Sequence, residues 1–281
     1  MSRPLSPEEL AKLWSESEVS IPRLPFFGIN IYQFCLPIFP LLLINAGIWY
    51  LYQILQVSIW IRITLAPLGV LANYFGYICI MTIFCRWLNN FFQKLSPAKE
   101  GVFSRRFTKH NVADRSLQYY HLRGFMFKFP VWVAKKSCFP WLITWVLRTM
   151  AYNEIHPDAF YGDCYVSLEF TQLAEGTIIQ EGVAISSHVI DSIFGNLTIE
   201  KVTLEKNAVL TANAVMAPGS IIKEGMSVGP KSMVPKRWKI HHPANQFIWG
   251  VPAKNAYYQS FLDLLPPTFQ TQWKEKQAEK K

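Results

Sequence analysis

His188 and Asp191 are the two residues whose types and spacing best suit proton-transfer chemistry. A neutral imidazole can remove a proton from an attacking hydroxyl or amine, and a carboxylate three residues away can orient the ring or accept from an amine. The structural alternative is a histidine that is solvated or hydrogen-bonded at a turn. We predict catalytic roles for His188 and Asp191, and turn roles for Ser186 and Ser187.

Metal binding is not indicated by the remaining histidines and cysteines. His241 and His242 are adjacent, and adjacent side chains on an extended chain point to opposite faces, so they cannot easily share one metal ion. The five cysteines show no CxxC spacing, and three of them lie within apolar segments. They are expected to be small buried side chains in a reducing compartment, and no metal site is predicted.

The element that must position His188 is a repeat of six residues. Each six is expected to form a short strand and a turn, and three sixes make one triangular coil whose aliphatic residues point inward. Small residues at the fifth place let the corners close. The pattern predicts a single left-handed parallel β-helix over residues 156–254. Its aliphatic positions are Leu204, Leu210, Met216, Ile222, Val228 and Val234, and its small fifth positions are Ala208, Ala214 and Ser220.

The period of six is interrupted once. Leu173, Ile179 and Ile185 fit it, but the next match, Leu204, follows Ile185 by 19 residues. We therefore predict that Asp191–Thr203 leaves the coil wall as a loop. Such excursions are often where ligands bind, although a plain surface bulge is the alternative. The only histidine of the repeat stands at the predicted corner directly before this loop.

Two apolar segments ahead of the repeat are long enough to cross a bilayer. Ile31–Leu51 and Ile63–Cys85 contain 21 and 23 residues without a charge. Lysine and arginine are sparse between the segments and frequent on both sides, so both termini and the β-helix are expected on the cytoplasmic side. The sequence therefore predicts an α+β, two-span membrane protein with a transmembrane hairpin over residues 31–90.

The segments flanking the hairpin are predicted to lie at the membrane surface. Residues 1–30 contain a capping serine followed by Pro7, which predicts a short helix from Pro7 to about Ser17. Residues 91–155 read as basic interfacial helices, and Arg105 to Arg148 holds nine basic residues against one acid. This charge favours anionic lipid headgroups or phosphate-bearing ligands over nucleic acid, for which no recognition motif is present.

The chain after the repeat is predicted to close it. Asn255–Leu265 favours a capping helix, which a solenoid needs because its last coil otherwise exposes an apolar edge. The rest of residues 255–281 reads as a charged tail.

The sixes and the closing sequence Gly-Val-Pro-Ala-Lys at residues 250–254 resemble the hexapeptide-repeat acyltransferase superfamily over about Leu173–Lys254. The resemblance implies transfer of an acyl or aminoacyl group from a thioester to a hydroxyl or amine, with His188 as general base. The same coil also serves carbonic anhydrases, nucleotidyltransferase appendages and assembly subunits. A carbonic anhydrase would need further histidines at the coil corners, and the repeat has none.

A narrower resemblance covers the apolar helices, the sequence from Pro140 to Ser167, and the spacing of His188, Asp191 and Phe194. These features are similar to the membrane-embedded C-terminal region of peptide-synthetase-like enzymes such as polylysine synthetase. The sequence departs from that pattern at residues 152–154, where a glycine-containing coil entry is usual. It also lacks adenylation and carrier domains, so an activated donor would come from another chain.

The superfamily resemblance implies where a donor binds and how the chain assembles. Coenzyme A or a carrier's phosphopantetheine would lie along the coil, and no cofactor would be bound permanently. Lys254 would meet a phosphate or serve only as a cap lysine. Soluble relatives are usually trimers, so a trimer is expected. The rival interpretation is a non-catalytic β-helix that scaffolds a membrane complex. The donor-binding positions are Ala212, Asn213, Ala214, Gly250 and Lys254.

Overall fold

The computed structural model describes residue 8, residues 23–104, 112–150, 152–161, 163–167, 169–191, 196–238 and 247–256, and four single positions beyond them. The chain divides into two compact units. The helical unit comprises Met1–Pro157, Ser167–Thr171 and Ser187–Lys201, and the coil unit comprises Asp158–Val166, Gln172–Ser186 and Val202–Lys281. Apart from residue 8, the helix predicted for residues 7–17 lies outside the described residues, as do both adjacent histidines.

The helical unit contains five described helices and a small antiparallel sheet. Its last helix leads into a short strand before the chain enters the coil unit. The helices are α1 (Arg23–Cys35), α2 (Ile38–Ile54), α3 (Ile59–Leu95), α4 (Val112–Lys135) and α5 (Trp141–Thr149). The strands are β1 (Gly101–Ser104), β2 (Asn153–Ile155), β8 (His188–Asp191) and β9 (Asn196–Ile199).

Two helical stretches, the first of which contains the turn between α1 and α2, are long and apolar enough to cross a membrane. They are Phe26–Ile54, with 29 residues, and Ile59–Leu95, with 37 residues, and each contains one of the segments predicted to span. No residue of α2 is buried, and large side chains such as Leu43 and Tyr50 point outward. A helix that is apolar all round and uncovered by protein suits a lipid environment. The helix α3 continues past the boundary predicted at residue 90 and ends at Leu95.

Polar contacts hold α2 beside the first half of α3. The amide of Asn45 donates to Asn73 Oδ1 at 2.6 Å, and the amide of Asn73 donates back to Asn45 Oδ1 at 3.1 Å. At the turn between the helices, the Arg62 guanidinium donates to the backbone oxygens of Val57 and Tyr52. Its charge therefore neutralises the negative end of α2 and satisfies carbonyls that the helix cannot.

The second half of α3 packs into a core with α1, α4 and α5. Aromatic rings join the helices, for example Phe26 with Phe125 at 4.7 Å between centroids and Phe75 with Phe139 at 4.8 Å. Burial of such rings stabilises helix contacts through area and through edge-to-face geometry. The most deeply buried apolar residues are Ile78, Met81, Cys85, Met126, Phe127, Leu142 and Val146.

The coil unit is built from short parallel strands that form three walls. The chain visits the walls in a fixed order and returns to the first wall after three strands. The first wall has β5 (Thr171–Leu173), β10 (Val202–Leu204) and β13 (Ile221–Ile222). The second has β3 (Phe160–Tyr161), β6 (Ile178–Ile179), β11 (Val209–Leu210), β14 (Ser227–Val228) and β16 (Phe247–Trp249). The third has β4 (Tyr165–Val166), β7 (Ala184–Ile185), β12 (Val215–Met216) and β15 (Met233–Val234).

The aliphatic residues at every sixth position point into the coil, as the period predicted. Val209 pairs with Ser227, and Val215 with Met233, so strands stacked in one wall lie 18 residues apart. The strands β3 and β4 add wall segments before the first predicted match. The six aliphatic residues from Leu204 to Val234 are all fully buried, together with Ala208, Ala214 and Ser220 at the fifth places. Parallel stacking of these strands is established by this pairing, and their winding into one left-handed β-helix stays a prediction.

A second period of six, which the sequence reading missed, marks the corners. The fourth residue of each six adopts a positive φ, which glycine and asparagine tolerate best. At Gly182 an added Cβ would lie 2.3 Å from Asn213 Oδ1, so the stacked corners need a glycine there. The corner residues are Gly176, Gly182, Asn207, Asn213, Gly219, Gly225, Lys231 and Arg237.

The excursion between Ile185 and Leu204 is a β-hairpin and not the predicted loop. The strands β8 and β9 pair antiparallel, and β9 also pairs with β1. The excursion begins at His188, three residues earlier than predicted, and the coil resumes at Val202. The hairpin forms because apolar residues on β9, Leu197 and Ile199, bury themselves in a core of the helical unit instead of continuing the wall.

The end of the coil also differs from the prediction. Residues 254–256 form a strand, β17 (Lys254–Ala256), which pairs antiparallel with β16. The predicted capping helix therefore does not begin at Asn255. Residues 257–266 lie outside the described part of the chain. A strand folded back on the last coil covers the edge hydrogen bonds that the cap was expected to protect.

Candidate active site

His188 lies at the start of β8 in the helical unit, paired with Ile199 across the hairpin. Its imidazole packs edge-on against the Tyr120 ring of α4, with 5.8 Å between ring centroids. The side chain is half-buried. The histidine therefore lies on the hairpin, with its ring against the helix α4, and does not occupy the predicted coil corner. An edge-on aromatic contact of this kind is favourable and limits the orientations of the imidazole.

The surroundings of His188 favour its neutral form. Burial lowers the pKa of His188 from its usual 6.5, and the nearby charge of Lys128 lowers the pKa further. Both effects disfavour the imidazolium, because burial removes hydration and a second cation repels the added charge. At pH 7 the ring is therefore unprotonated, which is the form that a general base requires.

A small cleft, with a cavity volume of about 10 Å³, lies near this histidine. Tyr120 both lines the cleft and contacts His188, and Ile199 both lines the cleft and pairs with His188. Apolar and aromatic residues line the cleft together with Lys99 and Arg123, and the Arg123 charge is balanced by Glu169. A space of this size admits about one water-sized group at a time. The lining residues are Lys99, Phe103, Leu117, Tyr120, Arg123 and Ile199.

A buried ion pair fixes one wall of the cleft. Arg123 Nε lies 2.6 Å from Glu169 Oε1, and both side chains are at most 3% exposed. Gln93 donates to the same oxygen at 3.1 Å, and Arg123 Nη1 donates to the Ser96 carbonyl at 2.9 Å. Burial raises the pKa of Glu169, and the Arg123 charge opposes that shift. The pair therefore ties α4 to α3 and to the segment that carries Glu169.

Hydrogen bonds connect Glu169 of this ion pair to Ser187, the residue before His188. The Ser187 hydroxyl donates to the Glu169 carbonyl at 2.6 Å, and the Ser187 N–H donates to Ser167 Oγ at 2.8 Å. The Ser187 carbonyl accepts from the Glu200 N–H at 2.9 Å. The predicted turn role of Ser187 thus becomes a structural role in a buried network that positions the histidine.

Asp191 ends β8, and its backbone pairs with Asn196. The placement of its side chain lies outside what the structure describes, so its proposed role beside His188 is untested. Among the described residues, no group of three histidine, cysteine, aspartate or glutamate side chains could hold a metal ion.

The predicted donor positions lie in the coil unit and fall into two neighbouring groups. The Ala212 carbonyl accepts from the Lys231 N–H, and the Gly250 carbonyl accepts from the Met233 N–H. The two groups therefore stand on either side of the turn 231–233. Ala214 is buried, whereas Lys254 is exposed. Asn213 is one of the positive-φ corners, with φ of 58°.

Four residues of the cleft region escaped the sequence prediction: Lys99, Tyr120, Arg123 and Glu169. Tyr120 and Arg123 belong to a stretch of alternating aromatic and basic residues that resembled an interfacial helix. A buried arginine within an apolar helix requires an acid partner, and that requirement could have pointed to Glu169. The partner lies 46 residues away in sequence, so spacing alone could not identify it.

Comparison with known proteins gives matches to solved structures only. No family model and no curated protein matches the chain. A mutant of AntD, an N-acyltransferase from Bacillus cereus in complex with dTDP-4-amino-4,6-dideoxyglucose and coenzyme A, is 16% identical at a TM-score of 0.27, with 41% of this chain and 87% of that chain covered.

Two further matches have similar values. A maltose O-acetyltransferase from Clostridium difficile 630 is 16% identical at a TM-score of 0.34, covering 45% of this chain and 80% of that one. The hexapeptide-repeat containing acetyltransferase VCA0836 from Vibrio cholerae is 13% identical at a TM-score of 0.33, with coverage of 45% and 85%. All three of these solved structures are named as acyltransferases or acetyltransferases. None of these three proteins is a polylysine synthetase, and that narrower resemblance stays a prediction.

Proposed function

We propose that the protein is a membrane-bound acyltransferase that moves an acyl or aminoacyl group from a thioester to a hydroxyl or amine at the cytoplasmic membrane face. The observation that carries this proposal is the half-buried, neutral His188 beside a cleft that contains two cations. A neutral imidazole next to a small opening, large enough for a reacting hydroxyl or amine group, is what a general base needs.

In the proposed reaction, the acyl group moves from sulfur to the acceptor atom. His188 takes the proton of the acceptor hydroxyl or amine while the acceptor atom attacks the thioester carbonyl. The tetrahedral intermediate collapses, the carbon–sulfur bond breaks, and the proton passes from the imidazolium to the departing thiolate. Lys99 supplies positive charge to the cleft, which favours a negatively charged substrate group there, whereas the Arg123 charge is already balanced by Glu169. Asp191 orients the imidazole or contacts an amine acceptor.

The donor in this proposal is coenzyme A or the phosphopantetheine of a carrier protein. The coil-unit residues offered to it are Ala212, Asn213, Ala214, Gly250 and Lys254. Ala212 and Gly250 accept hydrogen bonds from residues 231 and 233, so the two groups of donor positions are neighbours, which supports one shared binding surface. The exposed ammonium of Lys254 suits a phosphate. The AntD structure contains coenzyme A. We further propose that the coil is left-handed, as in the superfamily that the sequence resembles.

The membrane assignment rests on the two long apolar stretches, whose outward side chains have no protein cover among the described residues. Lysine and arginine flank the predicted spans, Ile31–Leu51 and Ile63–Cys85, and only Arg62 lies between these spans, so both termini and the coil unit are proposed to face the cytoplasm. The aromatic side chains at the turn, Trp49, Tyr50 and Trp60, suit the opposite membrane–water boundary.

An apolar column on the coil unit supports assembly into a homotrimer. The outward residues Tyr165, Ala184, Val215 and Met233 are strand neighbours across the third wall. Three of the four are more than a third exposed. A continuous apolar column on the outside of a coil favours burial against another protein surface.

The substitution Val215→Glu is expected to dissociate this assembly, because three carboxylates would enter an apolar interface without partners. Light scattering in detergent measures the mass of the particle. The matched control, Thr203→Glu, places the same charge on the first wall and should keep the wild-type mass. A Val215→Glu particle as large as wild type would contradict assembly through this column.

The pH dependence of transfer tests the proposed base. Full-chain protein in detergent is mixed with radiolabelled acyl-coenzyme A and amphiphilic hydroxyl or amine acceptors, and kcat/KM is measured from pH 5 to 8. Because the pKa of His188 is lowered from 6.5, the rate should fall on the acid side with a midpoint below pH 6.5. A midpoint above that value would contradict a buried neutral base at this position.

A further inference from the structure

One face of α4 leads from the cleft toward the apolar helices. Tyr120, Gly124 and Lys128 are spaced four residues apart, so they share one side of the helix. Tyr120 contacts the His188 ring, and the charge of Lys128 acts on the same ring. The face of α4 defined by these three residues, called the α4 groove below, therefore passes His188.

Gly124 leaves open space in the middle of the α4 groove. Apart from the chain neighbours of Gly124 and the nearby backbone of its own helix, no atom lies within 4 Å of the place that a Cβ would occupy there. Glycine within a helix costs about 1 kcal/mol relative to alanine, and neither packing nor a positive φ demands it here. The missing side chain leaves space on the helix surface between Tyr120 and Lys128.

The far end of the α4 groove combines an apolar wall with a cation. Lys128 Nζ lies 5.4 Å from the centroid of the Phe125 ring and 6.0 Å from that of Phe26. No carboxylate among the described residues forms an ion pair with Lys128. Aromatic rings and a lysine stem around an uncompensated ammonium are typical of a site at a lipid headgroup.

The surface beyond Lys128 is continuous with the proposed membrane-facing helices. Trp132, four residues further along α4, is 58% exposed, and Phe26 begins the first apolar stretch. Exposed tryptophan suits the boundary between headgroups and acyl chains. A molecule held in the membrane can therefore reach the α4 groove without leaving the apolar surface.

We propose that the acceptor is an anionic amphiphile resident in the membrane. Its negative group binds Lys128, and its hydroxyl or amine reaches His188 through the opening at Gly124. The identification of this molecule as the acceptor rests on the proposed acyl transfer, whereas its binding does not. The shared chemistry is a phosphate or carboxylate close to an apolar chain.

Photolabelling tests the binding in the absence of any acyl donor, so that the result is independent of whether transfer occurs. Full-chain protein is placed in phosphatidylcholine nanodiscs that contain photoreactive phosphatidic acid or photoreactive phosphatidylcholine. Phosphatidic acid is expected to label peptides from residues 117–135 more strongly than phosphatidylcholine. Removal of the cation in Lys128→Gln should lower phosphatidic acid labelling by about fivefold, since one basic residue near an anionic lipid contributes about 1 kcal/mol.

Two matched controls separate the α4 groove from general effects. The substitution Gly124→Leu should fill the opening and reduce phosphatidic acid labelling to the phosphatidylcholine level. The substitution Gly47→Leu, on α2 and equally open, should leave labelling unchanged. Lys94→Gln, which removes an exposed cation at the end of α3, should also leave it unchanged.

Three outcomes would overturn the proposal. They are equal labelling by the two lipids, labelling that is insensitive to Gly124→Leu, and loss of labelling on addition of inorganic phosphate, which would make the site one for a soluble anion. If labelling behaves as expected but no acyl group is transferred to any amphiphile, the lipid site stands and the proposed acyl transfer fails.

Discussion

Replacement of His188 by glutamine is expected to lower the rate of acyl transfer by about 10²- to 10⁴-fold, the usual contribution of a general base. Glutamine keeps a polar side chain of similar length, so the contact with Tyr120 and the hairpin pairing with Ile199 are retained. It cannot accept a proton near neutral pH. Initial rates with labelled acyl donor, at saturating acceptor, measure the effect.

The control for this substitution is His121→Gln. The His121 ring also contacts Tyr120, at 5.7 Å between centroids, but it lies on α4 and outside the cleft lining. The same change of chemistry next to the same tyrosine should therefore leave the rate at the wild-type value. Melting of both variants in detergent should match the parent protein, which excludes unfolding as the cause of lost activity.

The acid limb of the pH profile distinguishes a lost base from a distorted site. If His188 is the base, the residual activity of His188→Gln should lose the limb below pH 6.5 that wild type shows. If wild type is active and the fall in rate at acid pH is also seen in His188→Gln, the proton transfer belongs to another group. Absence of turnover in wild type with every donor and acceptor would favour the scaffold interpretation.

The sequence was sufficient for the coil because its information is local and periodic. An aliphatic residue at each sixth position means one inward side chain per wall, and the buried column from Leu204 to Val234 follows directly. The fourth-place corners carry an equally regular signal. This signal was missed because two of the corners are occupied by Lys231 and Arg237. A glycine or an asparagine at those two positions would have made the pattern recognisable.

The candidate site could not be predicted because it is assembled from distant segments. His188 was identified by its type, but Tyr120 and Arg123 come from a helix more than 60 residues earlier. Which face of α4 meets the hairpin depends on the packing of α4 against α3 and α5, and an alternation of aromatic and basic residues does not determine that face. The hairpin was misread as a loop for the same reason: its partner, β1, is remote in sequence.

Removal of the Arg123 charge by Arg123→Met is expected to destabilise the helical unit by about 3–5 kcal/mol, because Glu169 then remains buried without its counter-charge. The neighbouring bond from Gln93 to Glu169 Oε1 is too weak to replace it. Thermal unfolding in detergent measures the loss. The matched control is Lys223→Met: Lys223 Nζ is also 2.6 Å from Glu205 Oε1, but that pair is partly exposed and contributes at most about 1 kcal/mol.

The loss of folding stability in Arg123→Met should depend on pH in a defined direction. Burial already raises the pKa of Glu169, and removal of the opposing Arg123 charge raises it further. A carboxyl whose pKa is higher in the folded state gives stability that is lost as pH rises through that folded pKa. The variant should therefore be closest to wild type near pH 5 and furthest from it near pH 8.

A double substitution separates loss of the pair from loss of packing. With Glu169→Met added to Arg123→Met, no buried charge remains, and replacement of a buried ion pair by apolar residues is often neutral. More than half of the lost stability should return, less the hydrogen bonds that Ser96 and Gln93 made to the pair. If the double variant is as unstable as Arg123→Met at every pH, the arginine matters through its volume. The wall of the cleft would then be held by packing alone, and the hydrogen bond from Ser187 to the Glu169 carbonyl would not need the ion pair to position His188.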